Sequence, residues 1–411
     1  MSFKRIFIPF FTTAVFGGLN DNLFRNALVV MITYQLGYSA QAGSALTYLA
    51  MALLMFPFFP FSALAGQLAD KFDRRRLIRL AKLAELLLVV LVFAALIAKS
   101  IWALLLLVFL MGTQSAFYSP LKYSYIPQML PSRMLQANAY LSAGSYMGII
   151  IGAVLGNLLI VMENGVVWTG SALLLFALSG YVASRFIPPT PKVEPGLKVN
   201  LNIAASTQAL LRSALRDKTI RRCIIALSGF WMTGALYMSQ LAPFCKNVLD
   251  KPPEMVLIFL LIFSLGVAIG SLAANLCNRR FNVMKLLPVA LGVMALFTLD
   301  IYRVARHYEA GEAAPWHLAM LCINLLILAI AGGFYSVPLA TLLQRSAPKS
   351  EVARIIAANN VVNSAMIAFG AISVSLLTGR GWLSTSGVFV FVACINLLTG
   401  IYLTTLRKIK L

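Results

Sequence analysis

Four ionisable side chains stand out within long apolar runs of this 411-residue chain: Asp21, Arg25, Glu85 and Lys122. A charge in hydrocarbon costs roughly 2.5 kcal/mol or more even on lenient insertion scales, so each marks a candidate site for handling a charged solute. Asp21 and Arg25 are four residues apart in Gly17-Gly18-Leu19-Asn20-Asp21-Asn22-Leu23-Phe24-Arg25-Asn26, which puts them on one helix face and able to pair. Asn20 and Asn22 add hydrogen-bonding capacity, and Gly17-Gly18 is a candidate kink. Lys122 stands between Phe117-Tyr118-Ser119-Pro120-Leu121 and Tyr123-Ser124-Tyr125. A cation ringed by tyrosines suits a phosphate, although a lysine near a span end also snorkels to the interface. Glu85 lies one turn beyond Lys82 and is expected to pair with it or with a basic group on another helix. Its protonation offers one route to proton coupling.

Covalent and metal chemistry find no support. Cys223, Cys245, Cys277, Cys322 and Cys394 are scattered singly, with no Cys-x-x-Cys pair, and read as small apolar residues. The two histidines, His307 and His317, lie in or beside one loop, so no His-based triad and no His-rich metal site can be assembled. No catalytic residue, metal or cofactor is therefore expected, and the chain does not read as an enzyme.

The elements that must position the four charges are membrane spans. The chain is 60% hydrophobic and 11% charged, with a mean hydropathy of +0.85, far outside the range of soluble domains. Apolar runs of about 20 residues, enough to cross roughly 30 Å of hydrocarbon, number twelve, at 6–35, 42–69, 77–98, 101–125, 134–161, 166–187, 219–246, 254–277, 283–303, 316–343, 352–378 and 382–406. Each run is continuous and rich in Leu, Ala and Gly, so helices are predicted rather than barrel strands. With both termini inside, 26 basic residues fall on the cytoplasmic side and 6 outside, which fixes the orientation. The same sorting accounts for the net charge of +21 without nucleic acid as a partner, and leaves contact with anionic membrane lipid as a secondary role. The first run carries Asp21 and lacks a small-residue cleavage site, so it reads as an uncleaved span.

A linker at 188–218 divides the chain into six-helix bundles at 1–187 and 219–411. It opens Pro188-Pro189-Thr190-Pro191 and continues into Ala209-Leu210-Leu211-Arg212-Ser213-Ala214-Leu215-Arg216, a pattern suited to a helix on the cytoplasmic membrane face. The halves echo each other. Gly66-Gln67-Leu68-Ala69-Asp70-Lys71-Phe72-Asp73-Arg74-Arg75-Arg76 aligns without a gap on the segment from Gly270 to Arg280, sharing Gly, Leu, Ala and the final Arg-Arg. Phe117-Tyr118-Ser119-Pro120-Leu121 returns as Phe334-Tyr335-Ser336-Val337-Pro338-Leu339. Two parallel six-helix repeats are the plan of major facilitator transporters. Small-residue stripes, Gly144, Gly148, Gly152 and Gly156 in span 5 and Gly266 and Gly270 in span 8, are suited to close helix packing.

The segment Gly66 to Arg76 resembles the signature loop between spans 2 and 3 of the major facilitator superfamily. That resemblance implies a cytoplasmic latch involving Gly66, Asp70, Arg74 and Arg75, and a meeting of spans 5 and 8 at the domain interface. Within the superfamily the chain is similar to the bacterial lysophospholipid transporter family. The similarity rests on Asp21-Asn22, Gly66-Gln67-Leu68-Ala69-Asp70, Tyr118-Ser119-Pro120-Leu121-Lys122-Tyr123 and Leu135-Gln136-Ala137-Asn138, and is densest over residues 10 to 150. It implies that Asp21 and Lys122 handle a lysolipid headgroup. Asn22, Arg25, Tyr118, Tyr123 and Asn138 complete the candidate substrate set.

These readings lead to the expectation of a flippase moving lysophospholipid from the outer to the inner leaflet of a bacterial inner membrane, for reacylation by a separate acyltransferase. An ion-coupled exporter of a small amphiphile or drug is the first alternative, weakened by the lack of proline in the span 5 glycine run. A non-transporting subunit that anchors a partner enzyme is the second.

Overall fold

The computed structural model describes residues 2–252 and 254–404. The chain is all-α, in the order α1 (Phe3–Tyr34), α2 (Ala40–Met55), α3 (Phe58–Lys71), α4 (Arg74–Ile97), α5 (Ile101–Met129), α6 (Met134–Val161), α7 (Gly165–Arg185), α8 (Ile203–Ala214), α9 (Lys218–Asn247), α10 (Glu254–Cys277), α11 (Leu287–Glu309), α12 (Pro315–Ser346), α13 (Val352–Gly379) and α14 (Gly387–Leu403). Among the described residues ten helical segments are long and apolar enough to cross a membrane. The two further spans expected from the sequence are α1, a 32-residue helix diluted by its polar centre, and α14, which has 17 residues. Residues 405–411, including the end of the expected twelfth span, lie outside the described residues.

Local chemistry explains the boundaries. Side chains of Asp73, Asn202 and Asp217 accept from Arg75, Ala205 and Ile220 backbone N–H groups and start α4, α8 and α9. The expected span 42–69 is not one helix. Proline has no N–H to donate and its ring crowds the preceding turn, and the helix breaks at Pro57 into α2 and α3. Gly17-Gly18, expected as a kink, lies within an uninterrupted α1. The linker helix is α8, with Ser206, Leu210 and Ala214 forming its buried face at a spacing of four.

The described chain forms two compact units. The first runs to Ala137, resumes at Met147–Leu215 and takes in Ala347–Val361; the second holds Asn138–Tyr146, Arg216–Ser346 and the chain from Val362. In the first, Leu23, Leu28, Val89, Leu104, Met111 and Leu173 build a core from α1, α4, α5 and α7. In the second, Leu236, Phe263, Leu325 and Phe389 join α9, α10, α12 and α14.

The glycine stripes pack as close-approach surfaces inside each unit. A Cβ on Gly152 would stand 2.3 Å from the Leu19 carbonyl oxygen, and one on Gly148 3.0 Å from that of Val15, so α6 lies backbone to backbone on α1. Gly266 and Gly270 instead meet α12, where a Cβ on Gly266 would come 2.6 Å from Ala329 Cβ. Gly148, Gly152, Gly266 and Gly270 each have these close neighbours within their own unit. A stripe announces close approach, and the partner is set by tertiary packing. Gly144 is half-buried in the α6 segment of the second unit, where α6 and α10 touch through a 2.8 Å hydrogen bond between the Ser142 and Ser271 hydroxyls. Gly152→Ala is expected to lower stability by about 1–3 kcal/mol, the usual cost of overpacking, because the opposing atom is backbone. Gly18→Ala, with nothing within 4 Å of the added Cβ, should leave the melting temperature in detergent unchanged.

Candidate functional site

The buried charges converge on one part of the first unit, where α1, α4 and α5 pack together. On α4, Lys82 Nζ lies 2.6 Å from Glu85 Oε2, with side chains only 1% and 2% exposed. Glu85 therefore pairs along its own helix, the first of the two arrangements expected. On α5, Gln114 donates to that carboxylate oxygen at 3.4 Å and to the Ala81 carbonyl at 3.1 Å. Its neighbour Ser115 donates to Asp21 Oδ2 at 3.1 Å, linking α5 to α1. Lys82 Nζ also stands 4.9 Å from the Tyr118 ring centroid, a cation–π contact inside the unit. Gly17 makes room for this lysine, since a Cβ there would fall 2.3 Å from Nζ.

Several polar atoms at this site are buried without a hydrogen-bond partner: Glu85 Oε1, Tyr118 Oη and both amide atoms of Asn20. Buried polar groups ordinarily find partners, so these atoms are capacity available to a bound polar group. Lys122 is half-buried, its Nζ 4.6 Å from the Tyr123 ring centroid, and belongs to no ion pair among the described residues. Asp21 lies within electrostatic range of Lys82, Glu85 and Lys122. Both signs of charge are thus present, as a zwitterionic or anionic headgroup would need.

The Asp21–Arg25 ion pair allowed by their spacing is not formed. Arg25 donates to Asn22 Oδ1 at 2.7 Å, and no ion pair among the described residues joins it to Asp21. Asn22 is itself anchored to the Gly18 carbonyl at 2.7 Å, so it presents an acceptor one turn before the guanidinium. Asn138 belongs to the second unit, where it donates to Thr341 Oγ1 at 2.9 Å and to Gln344 Oε1 at 2.7 Å. Gln114 and Ser115 were missed by sequence reasoning, and Lys82 was named only as a partner for Glu85. Gln114-Ser115, a polar pair midway along span 4, was the available signal.

A second polar cluster sits at the end of the first unit that carries the basic loop. Asp70, fully buried, accepts from Arg74 Nη2 at 2.8 Å and Arg354 Nε at 3.3 Å. It also accepts from the Ala353 and Arg354 backbone N–H groups, both at 3.2 Å. A carboxylate on the free N–H groups of a helix start is favoured by hydrogen bonding and by the helix dipole together. Gly66 permits the approach, for a Cβ there would be 2.8 Å from Ala357 Cβ. Arg74 reaches on to Gln128 at 2.7 Å, and Arg354 to Glu194 at 2.6 Å, which draws in the linker. Arg75 sits aside, its Nε 3.8 Å from Asp73. Arg354 and Glu194 were not expected from the sequence, because both lie far along the chain from Asp70.

The sequence model of the Major Facilitator Superfamily matches residues 10–371. The chain belongs to that superfamily. This facilitator is accordingly a multi-pass membrane protein and a secondary transporter, from a family of transporters rather than enzymes. Among its relatives are the lysophospholipid transporters LplT of Escherichia coli O9:H4 (strain HS) and of Shigella boydii serotype 18 (strain CDC 3083-94 / BS512). Each is 28% identical over 282 residues, 66% of this chain and 66% of the relative. The chain thus spans just under two thirds of the length of the curated relatives it matches. Its fold is similar to that of the human organic anion transporter MFSD10, with a TM-score of 0.76 at 16% identity, over 97% of this chain and 99% of that one. It also resembles the transporter FucP in the outward conformation, with a TM-score of 0.72 at 14% identity, over 98% and 99%. Those two likenesses show the facilitator fold.

Proposed function

We propose that this facilitator flips lysophospholipid from the outer to the inner leaflet of a bacterial inner membrane by alternating access, with both termini cytoplasmic. The observation that carries the reading is the two-signed charge cluster of Asp21, Lys82, Glu85 and Lys122 inside spanning helices, with buried polar atoms left unpartnered around it. A solute handled there must carry charge, and a lysolipid keeps its single chain in apolar surroundings while its headgroup meets these groups. The similarity to LplT supports the same substrate class. In this scheme Asp21 and Lys122 contact the headgroup, Tyr118 and Tyr123 flank it, and Arg25 and Asn22 shape the adjoining α1 face. The product would be reacylated by a separate acyltransferase. The Asp70 cluster serves as the latch on the cytoplasmic side.

The test is inward movement of fluorescent lysophosphatidylethanolamine in proteoliposomes holding the purified full chain. Uptake above protein-free vesicles is expected, falling at least about tenfold in Asp21→Ala combined with Lys122→Ala, as expected when charge-assisted contacts are lost. Unchanged uptake in that variant would remove the two residues from the site, and no uptake by the parent protein would remove the function.

A further inference from the structure

A cleft in the first unit lies between α3, α4 and α5 and holds about 510 Å³. Its α4 wall is a stripe of Leu80, Ala84, Leu87 and Leu91, spaced by fours and threes so that all share one helix face. Leu80, Leu87 and Leu91 are 60%, 59% and 54% exposed, on a helix apolar enough to span the bilayer. Such a face meets lipid rather than water. From Leu77 to Leu91 the cleft runs about 20 Å along α4 at 1.5 Å per residue, somewhat more than half of a roughly 30 Å hydrocarbon core. A groove of this length and volume has room for an acyl chain laid along α4.

One end of the cleft is cationic. Stepping back one turn from Leu80 along the same stripe gives Arg76, whose side chain is 76% exposed and only grazes Asp73 at 4.0 Å. Leu68, on the facing wall, lies one turn before Lys71, whose Nζ hangs 5.6 Å above the Phe72 ring and joins no ion pair among the described residues. Arg76 and Lys71, each within one helical turn of a lining residue, offer two cations that complement a lipid phosphate. The floor of the slot is Gln114, which on its other side holds the Glu85 carboxylate.

From this arrangement we infer that the α3–α4–α5 cleft is a lysophospholipid site, with the acyl chain along the Leu80–Leu91 stripe and the phosphate on Arg76 and Lys71. The inference rests on the lysophospholipid reading above and adds a separate, membrane-facing place for the lipid, distinct from the Asp21–Lys122 cluster that handles the headgroup during transport. It also makes α4 a two-sided element, with Lys82 and Glu85 on one face and the chain on the other.

Photolabelling tests this without a transport assay. The full chain is reconstituted in phosphatidylcholine vesicles with a lysophosphatidylethanolamine bearing a diazirine at mid-chain, irradiated, and its adducts mapped by mass spectrometry. Adducts are expected on residues 80–91 and 110–121, displaced by excess unlabelled lysophosphatidylethanolamine and not by the same amount of diacyl phosphatidylethanolamine. Ala84→Trp, at an exposed position, should cut labelling by about tenfold by filling the slot. Arg76→Gln with Lys71→Gln, which leaves the apolar walls intact, should weaken half-saturation by about tenfold, the scale of a lost charge-assisted contact. Adducts elsewhere, equal displacement by diacyl lipid, or labelling indifferent to both variants would overturn the site. Labelling in the cleft without lysolipid transport keeps the chain site and rejects the transport reading; transport without such labelling rejects the chain site alone.

Discussion

Lys82→Met is expected to destabilise the folded protein by about 3–5 kcal/mol, the cost found when one partner of a buried ion pair is removed. The lysine is 1% exposed and sits 2.6 Å from Glu85 Oε2. Without it, Glu85 would keep only the Gln114 donor at 3.4 Å, while its other oxygen is already without a partner. Asp21, the neighbouring carboxylate on α1, would then face Glu85 with Lys122 and Arg25 as the cations still in electrostatic range of it. Adding Glu85→Leu to Lys82→Met should recover most of the loss, because exchanging both ions for apolar groups of similar size removes the desolvation penalty along with the attraction. The measurement is the melting temperature in detergent of the two single variants and the double variant. A double variant as unstable as Lys82→Met would show that the charges are bound into a wider network than the pair. The double variant also separates folding from transport. If it is stable and still moves lysolipid at the parent rate, Lys82 and Glu85 only build the unit; if stable and inactive, they act on the solute.

How much of this was legible in the sequence depends on whether a feature is local. The runs predicted at 134–161 and 254–277 reappear as α6 and α10 with the same limits, since a continuous apolar segment between polar ends has few alternatives. The break at Pro57 was also local, and was hidden only because hydropathy continued through it. Lys82 illustrates the opposite case. Six residues into a span behind a basic loop, it reads as one more positive-inside residue, and it is buried because Gly17 on α1 and Gly180 on α7 leave room for its long side chain. Arg25 shows that spacing permits and does not decide: Asn22, held by the Gly18 carbonyl, takes the guanidinium that the helix period offered to Asp21. Arg354 carried no sequence signal, being more than 280 residues from the carboxylate it meets.

Asp70→Ala should have the second large effect, and on transport more than on assembly of the apolar core. The carboxylate holds two guanidinium groups and caps the start of α13 through two backbone N–H groups. Its removal strands Arg74, itself 1% exposed, with uncharged partners on Ala69, Ser124 and Gln128. Arg354 would retain Glu194, so the linker stays attached while the helix start comes loose. The expected loss is about 3–5 kcal/mol of local stability, as for other broken buried pairs, enough to change a two-state balance by more than a hundredfold. In an alternating-access cycle that balance sets the turnover, so lysolipid uptake should fall at least about tenfold while protein recovered from membranes falls less. Asp70→Asn, which keeps the shape and one acceptor, should lie between the parent and Asp70→Ala. Hydrogen exchange at 352–361 gives the structural readout: faster exchange there in Asp70→Ala, with α1 and α5 unchanged, is the expected pattern. Uniform acceleration through the first unit would mean instead that Asp70 supports the whole unit and that no separable latch exists.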